Sequence, residues 1–318
     1  MSDGNEMNRP RLVVLTGPTA VGKTALSTEL AAAIGGEIIS ADSMQVYRGM
    51  DIGSAKIRPE EMNGIRHYLI DILDPQESFD IVQFQTLAKE AMEKIYAAGH
   101  IPVIVGGTGF YIQSVVYDID FAENDGDTAY RRMLEEDPDP QKLHRMLEEV
   151  DPESAAEIHS NNIKRTIRAL EFYHQTGKKI SEHNAQEREK ESPYNFAYFV
   201  LNDERAKVYD RIDRREDLMM EDGLEDEVRR LKEAGMTQDM VSMKGLGYAE
   251  LLHYLNGDYP LEEAVRLIKR NTRHFAKRQI TWFKREKEVT WIDRGLYDND
   301  ERKILDAMLQ VLREKGII

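Results

Sequence analysis

The chain has 318 residues, carries 43 Lys and Arg against 58 Asp and Glu, and contains no cysteine. The absence of cysteine excludes disulfides, thiolate zinc sites and cysteine nucleophiles. No apolar run approaches the length of a membrane span and the polar N-terminus lacks a signal-peptide pattern, so we expect a cytoplasmic protein with no membrane partner. The formal net charge of −15, taken as an average over the chain, argues against a nucleic-acid partner.

The first predicted strand leads into a phosphate-binding loop. Arg11–Thr16 is a short apolar run rich in β-branched residues, and residues 25–34 have helical spacing. Glycines in such a loop let backbone N–H groups turn toward an anion, and the helix N-terminus adds its positive end. The segment between strand and helix fits the pattern G-x-x-x-x-G-K-[ST] at every fixed position; it is Gly17, Pro18, Thr19, Ala20, Val21, Gly22, Lys23 and Thr24.

A second predicted strand, residues 37–40, is followed closely by Asp42. In a parallel sheet, residues just past the carboxyl end of a strand face the ligand crevice, so we expect Asp42 near the phosphates. Asp is also frequent in turns and at helix N-caps, and position alone does not separate these two interpretations.

A core strand is predicted over Ile101–Val105, after an amphipathic helix between Asp80 and Gly99. ATP-using P-loop enzymes carry an acid near the end of such a strand to help hold Mg²⁺. Here the strand runs instead into two glycines and Thr108, which permit close approach of a ligand and one hydrogen bond to it. The alternative is a tight turn without a ligand.

The pattern changes near Tyr117. Residues 125–192 have the spacing of several helices, with Asp-Pro turns at 137–138, 139–140 and 151–152 and no convincing strand. Strand character returns at Phe196–Leu201 and at residues 288–292. We therefore predict an α/β fold: a P-loop NTPase-like parallel sheet core flanked by helices, formed by residues 1–120 and 196–318, with an inserted all-helical domain over 121–195.

Two charged helices are predicted in the second half of the chain. In the first, residues 204–220, three arginines are interpreted as partners of acids on the same helix. The second opens at Pro260, and from residue 264 to 287 nine Lys and Arg accompany one acid, Glu286. Like charges on one helix face repel one another, so this pattern favours an anionic partner, and a nucleic-acid backbone fits it.

Seven segments of the chain carry a family pattern; they are residues 17–24, 42–56, 106–111, 165–171, 223–228, 247–248 and 276–283. Together these segments resemble the tRNA dimethylallyltransferase (tRNA isopentenyltransferase) family over nearly the full chain. That family transfers a dimethylallyl group from dimethylallyl diphosphate to N6 of the adenine immediately 3′ of the anticodon (position 37), in tRNAs reading codons that begin with U. Ser54 stands where many members have Thr, and Ile57 where many have Pro.

The resemblance implies roles for individual residues. The phosphate loop with Lys23 and a Thr24-bound Mg²⁺ would stabilise the diphosphate leaving group. Asp42 would remove the proton from the N6 amine, and Thr108 would hydrogen-bond in the same crevice. Arg215 matches the family arginine that contacts diphosphate, with Arg214 as the alternative register.

The resemblance also implies a set of contacts to the anticodon stem-loop of tRNA. We expect the protein to act as a monomer with dimethylallyl diphosphate and tRNA as partners and Mg²⁺ as cofactor. The implied tRNA contacts lie after the second strand, in the insertion and along the basic helix, Arg266–Arg285; they are Asp42, Ser43, Met44, Gln45, Thr108, Arg131, Lys164, Arg165, Arg270, Arg273, Lys277 and Arg278.

Three other functions stay open. A small-molecule P-loop kinase using ATP explains the loop, but neither the missing acid after residue 105 nor the basic helix. An adenylate isopentenyltransferase uses the same kind of core, but the helical insertion and residues 277–282 argue for a larger acceptor. The third alternative is a nucleotide-regulated RNA-binding protein without catalysis.

Overall fold

The computed structural model of the protein describes residues 9–121, 129–136 and 138–318. The chain forms two compact units. The core unit comprises Met1–Val116 and Pro193–Ile318, and the helical unit comprises Tyr117–Ser192. Residues 122–128, in the predicted insertion, and the predicted turn at Asp137 lie outside the described residues.

The core unit is built on one parallel sheet of six strands with the order β3-β2-β4-β1-β5-β6. β1 lies in the middle between β4 and β5, and its residues Leu12–Thr16 are fully buried. This arrangement confirms the predicted α/β fold with a parallel sheet. The strands are β1 (Arg11–Thr16), β2 (Gly36–Ala41), β3 (His67–Tyr68), β4 (Ile101–Gly106), β5 (Asn195–Asn202) and β6 (Val289–Asp293).

The strand register brings three carboxyl ends to one edge of the sheet. Gly106, the last residue of β4, pairs with Thr16 at the end of β1 and with Ala41 at the end of β2. The segments that follow these strands are the phosphate loop, the segment that begins at Asp42 and the turn that carries Thr108. They therefore begin side by side, as the sequence predicts.

Helices flank the sheet and make up the described part of the helical unit. In chain order the helices are α1 (Lys23–Ile34), α2 (Ile81–Ala97), α3 (Gly109–Val116), α4 (Ala129–Glu136), α5 (Pro140–Val150), α6 (Pro152–Glu157), α7 (Ile163–Thr176), α8 (Ile180–Glu189), α9 (Arg205–Glu221), α10 (Leu224–Glu233), α11 (Tyr248–Leu255), α12 (Leu261–Phe283) and α13 (Glu301–Glu314). Among the described helices, none combines the length and the apolar character that crossing a membrane requires.

Local signals explain where several helices begin. Asp80 and Gln83 form a reciprocal capping box at the start of α2. Asp139 and Asp151 cap α5 and α6 through their side chains, and each is followed by a proline at the first helical position. Two of the predicted Asp-Pro turns are thus helix starts.

The helical unit has its own apolar core. Leu143 and Leu147 of α5 are buried with Ile167 and Leu170 of α7, and Leu134 of α4 joins them. Apolar residues at these helical spacings form a stripe on each helix, and packing the stripes together excludes water. The described residues of this unit contain no strand.

Three elements differ from the sequence prediction. Residues 67–71 have the apolar pattern of a short strand, but only His67 and Tyr68 pair with the sheet, and a positive φ of 63° at Leu69 then turns the chain. The glycine-rich stretch after Gly107 continues into α3, and the turn that ends at Tyr248 starts α11. Glycines at these helix starts obscured the helical spacing that follows them.

Candidate active site

The phosphate loop, Gly17–Thr24, runs from the end of β1 into the first turn of α1. Gly17 and Gly22 have positive φ angles of 145° and 98°, and Ala20 has a φ of 62°. A left-handed conformation at a residue with a side chain costs about 1–2 kcal/mol, and such strain is common at functional sites. A side chain at Gly17 would collide with the carbonyl oxygen of Leu201, since the Cβ would lie 2.5 Å from it. The neighbouring strand therefore fixes the shape of the loop.

Lys23 points back into the loop. Its Nζ donates hydrogen bonds to the carbonyl oxygens of Gly17 and Pro18, each at 2.9 Å. Burial and the positive charge of Arg215 lower the pKa of Lys23 to about 7, against a smaller opposing effect of Asp42. An anion in the loop would favour the charged form, so anion binding and lysine protonation are coupled.

Two arginines of α9 contact the first half of the loop. Arg215 Nη2 donates to Thr19 Oγ1 at 2.7 Å, and Arg211 Nε donates to the carbonyl oxygen of Ala20 at 3.0 Å. Arg214 is exposed on the same helix. Of the two registers left open by the sequence, Arg215 is thus the arginine that contacts the loop.

The prediction that the α9 arginines form ion pairs with acids on their own helix names the wrong partners. Arg211 pairs with Asp203, which precedes the helix, at 2.7 Å. The helix acids Asp213 and Asp217 pair instead with cations of α12. The sequence could not indicate this exchange, because it depends on α9 and α12 lying side by side.

Asp42 satisfies both interpretations of its position. Its Oδ1 closes a turn by accepting hydrogen bonds from the backbone N–H of Met44 at 2.8 Å and of Gln45 at 3.4 Å. Within the described chain, its Oδ2 accepts no hydrogen bond. Asp42 also lines a cleft in which the phosphate loop, β2 and β4 meet; the lining residues are Lys23, Thr24, Ser27, Ile38, Ser40, Asp42, Gln45, Ile57, His67, Ile70, Val105 and Gly106.

His67 is a second proton acceptor in this cleft, and the sequence reading missed it. Its Nδ1 lies 2.9 Å from the carbonyl oxygen of Ile65, and burial lowers the pKa of the imidazole. With Nδ1 protonated and donating to that carbonyl, Nε2 of the neutral ring can accept a proton. The available signal was the position of His67 at the start of the short strand pattern over residues 67–71.

The turn that carries Thr108 is tied to the phosphate loop by Gln279 of α12. Gln279 Oε1 accepts from the backbone N–H of Thr19 at 2.9 Å, and its Nε2 donates to the carbonyl oxygen of Gly107 at 3.0 Å. The backbone N–H of Thr108 donates to Ala41 at 3.3 Å, which brings this turn beside Asp42. The sequence reading missed Gln279, although a polar residue on the buried stripe of α12 was a signal.

Acids neutralise part of the basic face of α12. Lys269 and Arg273 pair with acids of α9, and Arg266 pairs with Glu263 of its own helix. In this part of the helix, acids of the protein therefore already pair with several of the cations that the sequence assigns to an anionic partner. Lys277 and Arg278 are exposed, and the described residues offer them no acidic partner.

Lys277, Arg278 and Arg285 line an open groove at the C-terminal half of α12. The groove has a volume of about 470 Å³. Arg270, another predicted contact, is exposed and its Nε donates to the side chain of Asn271 at 3.1 Å. The residues that line the groove are His274, Lys277, Arg278, Thr281, Trp282 and Arg285.

Three predicted tRNA contacts belong to the helical unit. Lys164 and Arg165 are exposed in the first turn of α7. Arg131 of α4 forms two ion pairs, with Glu135 at 3.0 Å and with the buried Glu171 at 3.5 Å. Charge on this unit is thus available at the start of α7.

The pKa of Lys23 generates a prediction for anion binding. A bound anion raises the lysine pKa above its ligand-free value of about 7, so affinity is highest below pH 7 and falls as pH rises through that value. The loss should approach about tenfold per pH unit until the bound-state pKa is reached. Calorimetric titration with inorganic diphosphate across neutral and mildly alkaline pH measures it.

The matched control for this titration is Lys23→Arg. A guanidinium stays charged throughout this range, while the ionisation of diphosphate itself contributes equally to both proteins. The difference between the two pH profiles therefore isolates Lys23. Identical profiles would show that Lys23 does not titrate in this range.

Comparison with known proteins identifies the family of the chain. A sequence model of the family described as IPP transferase matches residues 45–286. A tRNA dimethylallyltransferase of Lachnoclostridium phytofermentans is 58% identical over 310 residues, which cover 96% of this chain and 99% of the relative.

Solved structures of similar proteins agree as well. The tRNA isopentenylpyrophosphate transferase of Bacillus halodurans has a TM-score of 0.74 at 44% identity, covering 97% of this chain and 98% of that one. A eukaryotic dimethylallyltransferase acting on tRNA has a TM-score of 0.80 at 30% identity, covering 89% of this chain and 74% of that one. The coverage and identity of these matches leave one conclusion, that the chain belongs to the IPP transferase family.

Proposed function

We propose that this protein transfers a dimethylallyl group from dimethylallyl diphosphate to N6 of the adenine at position 37 of tRNAs that read codons beginning with U, releasing diphosphate. Its family membership supports this reaction. The observation that carries the proposal is the cleft in which Lys23 and Thr24 of the phosphate loop meet the carboxylate of Asp42. One side of this cleft suits a diphosphate, and the other offers a base.

The donor side acts on the leaving group. As the bond between the allylic carbon and the diphosphate oxygen breaks, negative charge accumulates on the diphosphate. The backbone of the phosphate loop and the ammonium of Lys23 would stabilise that charge. Arg215, held against Thr19, adds a second cation at the same loop. A loop that holds nucleotide phosphates in other proteins would here hold the diphosphate of a prenyl donor.

Mg²⁺ is the cofactor that we propose for this side. Among the described residues, no cluster of three or more His, Asp or Glu side chains could hold a metal ion by itself. Mg²⁺ commonly uses one or two protein ligands and completes its shell with phosphate oxygens and water. The hydroxyl of Thr24, in the cleft with Asp42, fits that role. When bound, the ion would neutralise diphosphate charge.

The acceptor side supplies the base. The exocyclic amine of adenine is a weak nucleophile because its lone pair is conjugated with the ring. We propose that Asp42 takes the N6 proton as the new bond between carbon and nitrogen forms. Its Oδ1 is engaged in the turn with Met44, so Oδ2 is the oxygen available for the proton. Thr108 would orient the amine or the diphosphate from the adjacent turn.

The acceptor base lies in a loop of tRNA and must leave its stack to enter the cleft. Contacts from the segment Asp42–Gln45, the start of α7 and the exposed C-terminal half of α12 would hold the anticodon stem-loop. We further propose that the protein acts as a monomer, since the residues of the donor site all come from the core unit of one chain. We propose the cytoplasm as its location, since the proposed acceptor is tRNA.

Mass spectrometry of nucleosides tests the proposal. The protein is incubated with unmodified tRNA, Mg²⁺ and dimethylallyl diphosphate, and the tRNA is digested. We expect dimethylallyl adenosine at position 37. Parallel reactions offer AMP as the acceptor or labelled ATP as the donor. Prenylated AMP without prenylated tRNA, or phosphate transfer to a small acceptor, would replace this function with an alternative.

Replacement of Asp42 should remove the proposed base, and so slow prenylation, without weakening tRNA binding. Asp42→Asn is the sharpest variant, because the amide oxygen can still accept from Met44 and preserve the turn. We expect single-turnover prenylation to slow by about 10²-fold or more, with tRNA affinity within a factor of about two. Unchanged turnover would remove Asp42 from the reaction and direct attention to His67.

Cations that lack an acidic partner should contribute more to tRNA binding than paired ones. Lys277→Ala should weaken anticodon stem-loop binding and reduce the salt dependence of log Kd by about 1. Arg266→Ala is the matched comparison on the same helix, since Arg266 is paired with Glu263. We expect a smaller effect there, measured by filter binding over a range of salt concentrations. Equal effects of the two substitutions would contradict the distinction between paired and unpaired cations on α12.

A further inference from the structure

A buried carboxylate of α10 binds a turn of the loop that follows β2. Glu227 is 2% exposed. Its Oε2 accepts hydrogen bonds from the backbone N–H of Asp51 at 3.0 Å and of Ile52 at 2.9 Å. Its Oε1 accepts from the backbone N–H of Gly53 at 3.2 Å and from the hydroxyl of Tyr248 at 2.6 Å. Four donors converge on one carboxylate, which compensates for the loss of water around a buried charge.

Packing leaves this turn little freedom. A Cβ at Gly53 would lie 2.6 Å from two ring atoms of the buried Tyr248, so only glycine fits against the ring. Lys56 closes the other side of the turn, because its Nζ pairs with both Asp51 and Asp71 at 2.6 Å. The backbone around residues 51–56 is therefore held from both sides.

A chain of hydrogen bonds leads from this turn to Asp42. The side-chain amide of Gln45 donates to the carbonyl oxygens of Ser54 and Ala55, each at 3.3 Å, and its Oε1 accepts from Ser40 at 3.0 Å. The backbone N–H of Gln45 donates in turn to Asp42 Oδ1. The turn held by Glu227 thus fixes a residue that orients the Asp42 carboxylate.

We infer that Glu227 is a positioning residue for Asp42, acting through the turn at residues 51–55 and Gln45. The inference rests on the proposed function, in which Asp42 is the base. Glu227 accepts no hydrogen bond from the phosphate loop among the described residues, so it serves the acceptor side of the cleft and leaves the donor side unaffected. A displacement of about 1 Å at a reacting group can cost about 10²-fold in rate.

Glu227→Gln tests this inference. An amide NH₂ in place of one carboxylate oxygen would face N–H donors, so the turn should shift. We expect kcat to fall by about 10-fold to 100-fold while KM for dimethylallyl diphosphate stays within about 2-fold. In an Asp42→Asn background the same change should cost less than about 3-fold, since a base that is already absent cannot be misplaced.

Glu250→Gln is the matched control. Glu250 is 7% exposed and accepts hydrogen bonds from the backbone of Gly247 and from Asn271, neither of which belongs to the turn. We expect it to lower the urea midpoint as Glu227→Gln does, without the fall in kcat. An equal fall in kcat would mean that Glu227 contributes stability alone, and would overturn the inference.

Tyr248→Phe keeps the test decisive if Glu227→Gln fails to fold. It removes one donor and leaves the three backbone N–H groups on the carboxylate. We expect a smaller loss of kcat that again disappears in the Asp42→Asn background. Losses that multiply with Asp42→Asn would overturn the inference. The proposed function fails separately, when the unaltered protein prenylates no tRNA.

Discussion

Close backbone contact at the carboxyl edge of the sheet is the constraint on which the site depends. A Cβ at Gly106 would collide with the carbonyl oxygen of Ala41, so β4 approaches β2 more closely than any other residue type permits. On its other side, the buried hydroxyl of Thr16 donates to the carbonyl oxygen of Gly106 at 2.6 Å. The ends of β1, β2 and β4 are thereby held together. The phosphate loop, the segment with Asp42 and the turn with Thr108 follow these strand ends, so the spacing of the strands sets the spacing of these segments.

Charge is distributed so that cations concentrate where anions are expected to bind. Lys23 lies in the phosphate loop and Arg215 lies beside it, and burial together with the positive charge of Arg215 lowers the pKa of the lysine. On α12, the acids of α9 neutralise Lys269 and Arg273 and leave the C-terminal half of the helix basic. An acidic protein can therefore bind a nucleic acid, because the local potential along one helix differs from the average over the chain.

Much of the fold could be predicted from sequence because its signals are local. The run before Gly17, the capping residues of α2 and the proline before α12 each mark an element boundary by their own conformational preference. Asp42 could be assigned to the edge of the sheet because parallel strands end together. The clustering of Lys23, Thr24 and Asp42 in one cleft follows from the same rule.

Other parts of the site could not be predicted, because they depend on elements distant in sequence. Gln279 contacts the phosphate loop from 260 residues away in the sequence, and Glu227 contacts the turn after β2 from 176 residues away. The choice between Arg214 and Arg215 depends on how α9 is rotated about its axis, because neighbouring residues of a helix point in different directions. Sequence patterns indicate which face of a helix is buried, but tertiary packing decides what that face contacts.

In the proposed reaction, one cleft holds a prenyl diphosphate in the phosphate loop and an extruded adenine at Asp42. A crystal structure with an anticodon stem-loop RNA and an unreactive thio analogue of dimethylallyl diphosphate tests it most directly. We expect the diphosphate within the loop and the adenine N6 at hydrogen-bond distance, about 2.6–3.2 Å, from the Asp42 carboxylate. A diphosphate bound outside the loop, or an N6 amine facing His67 with Asp42 turned away, would contradict it.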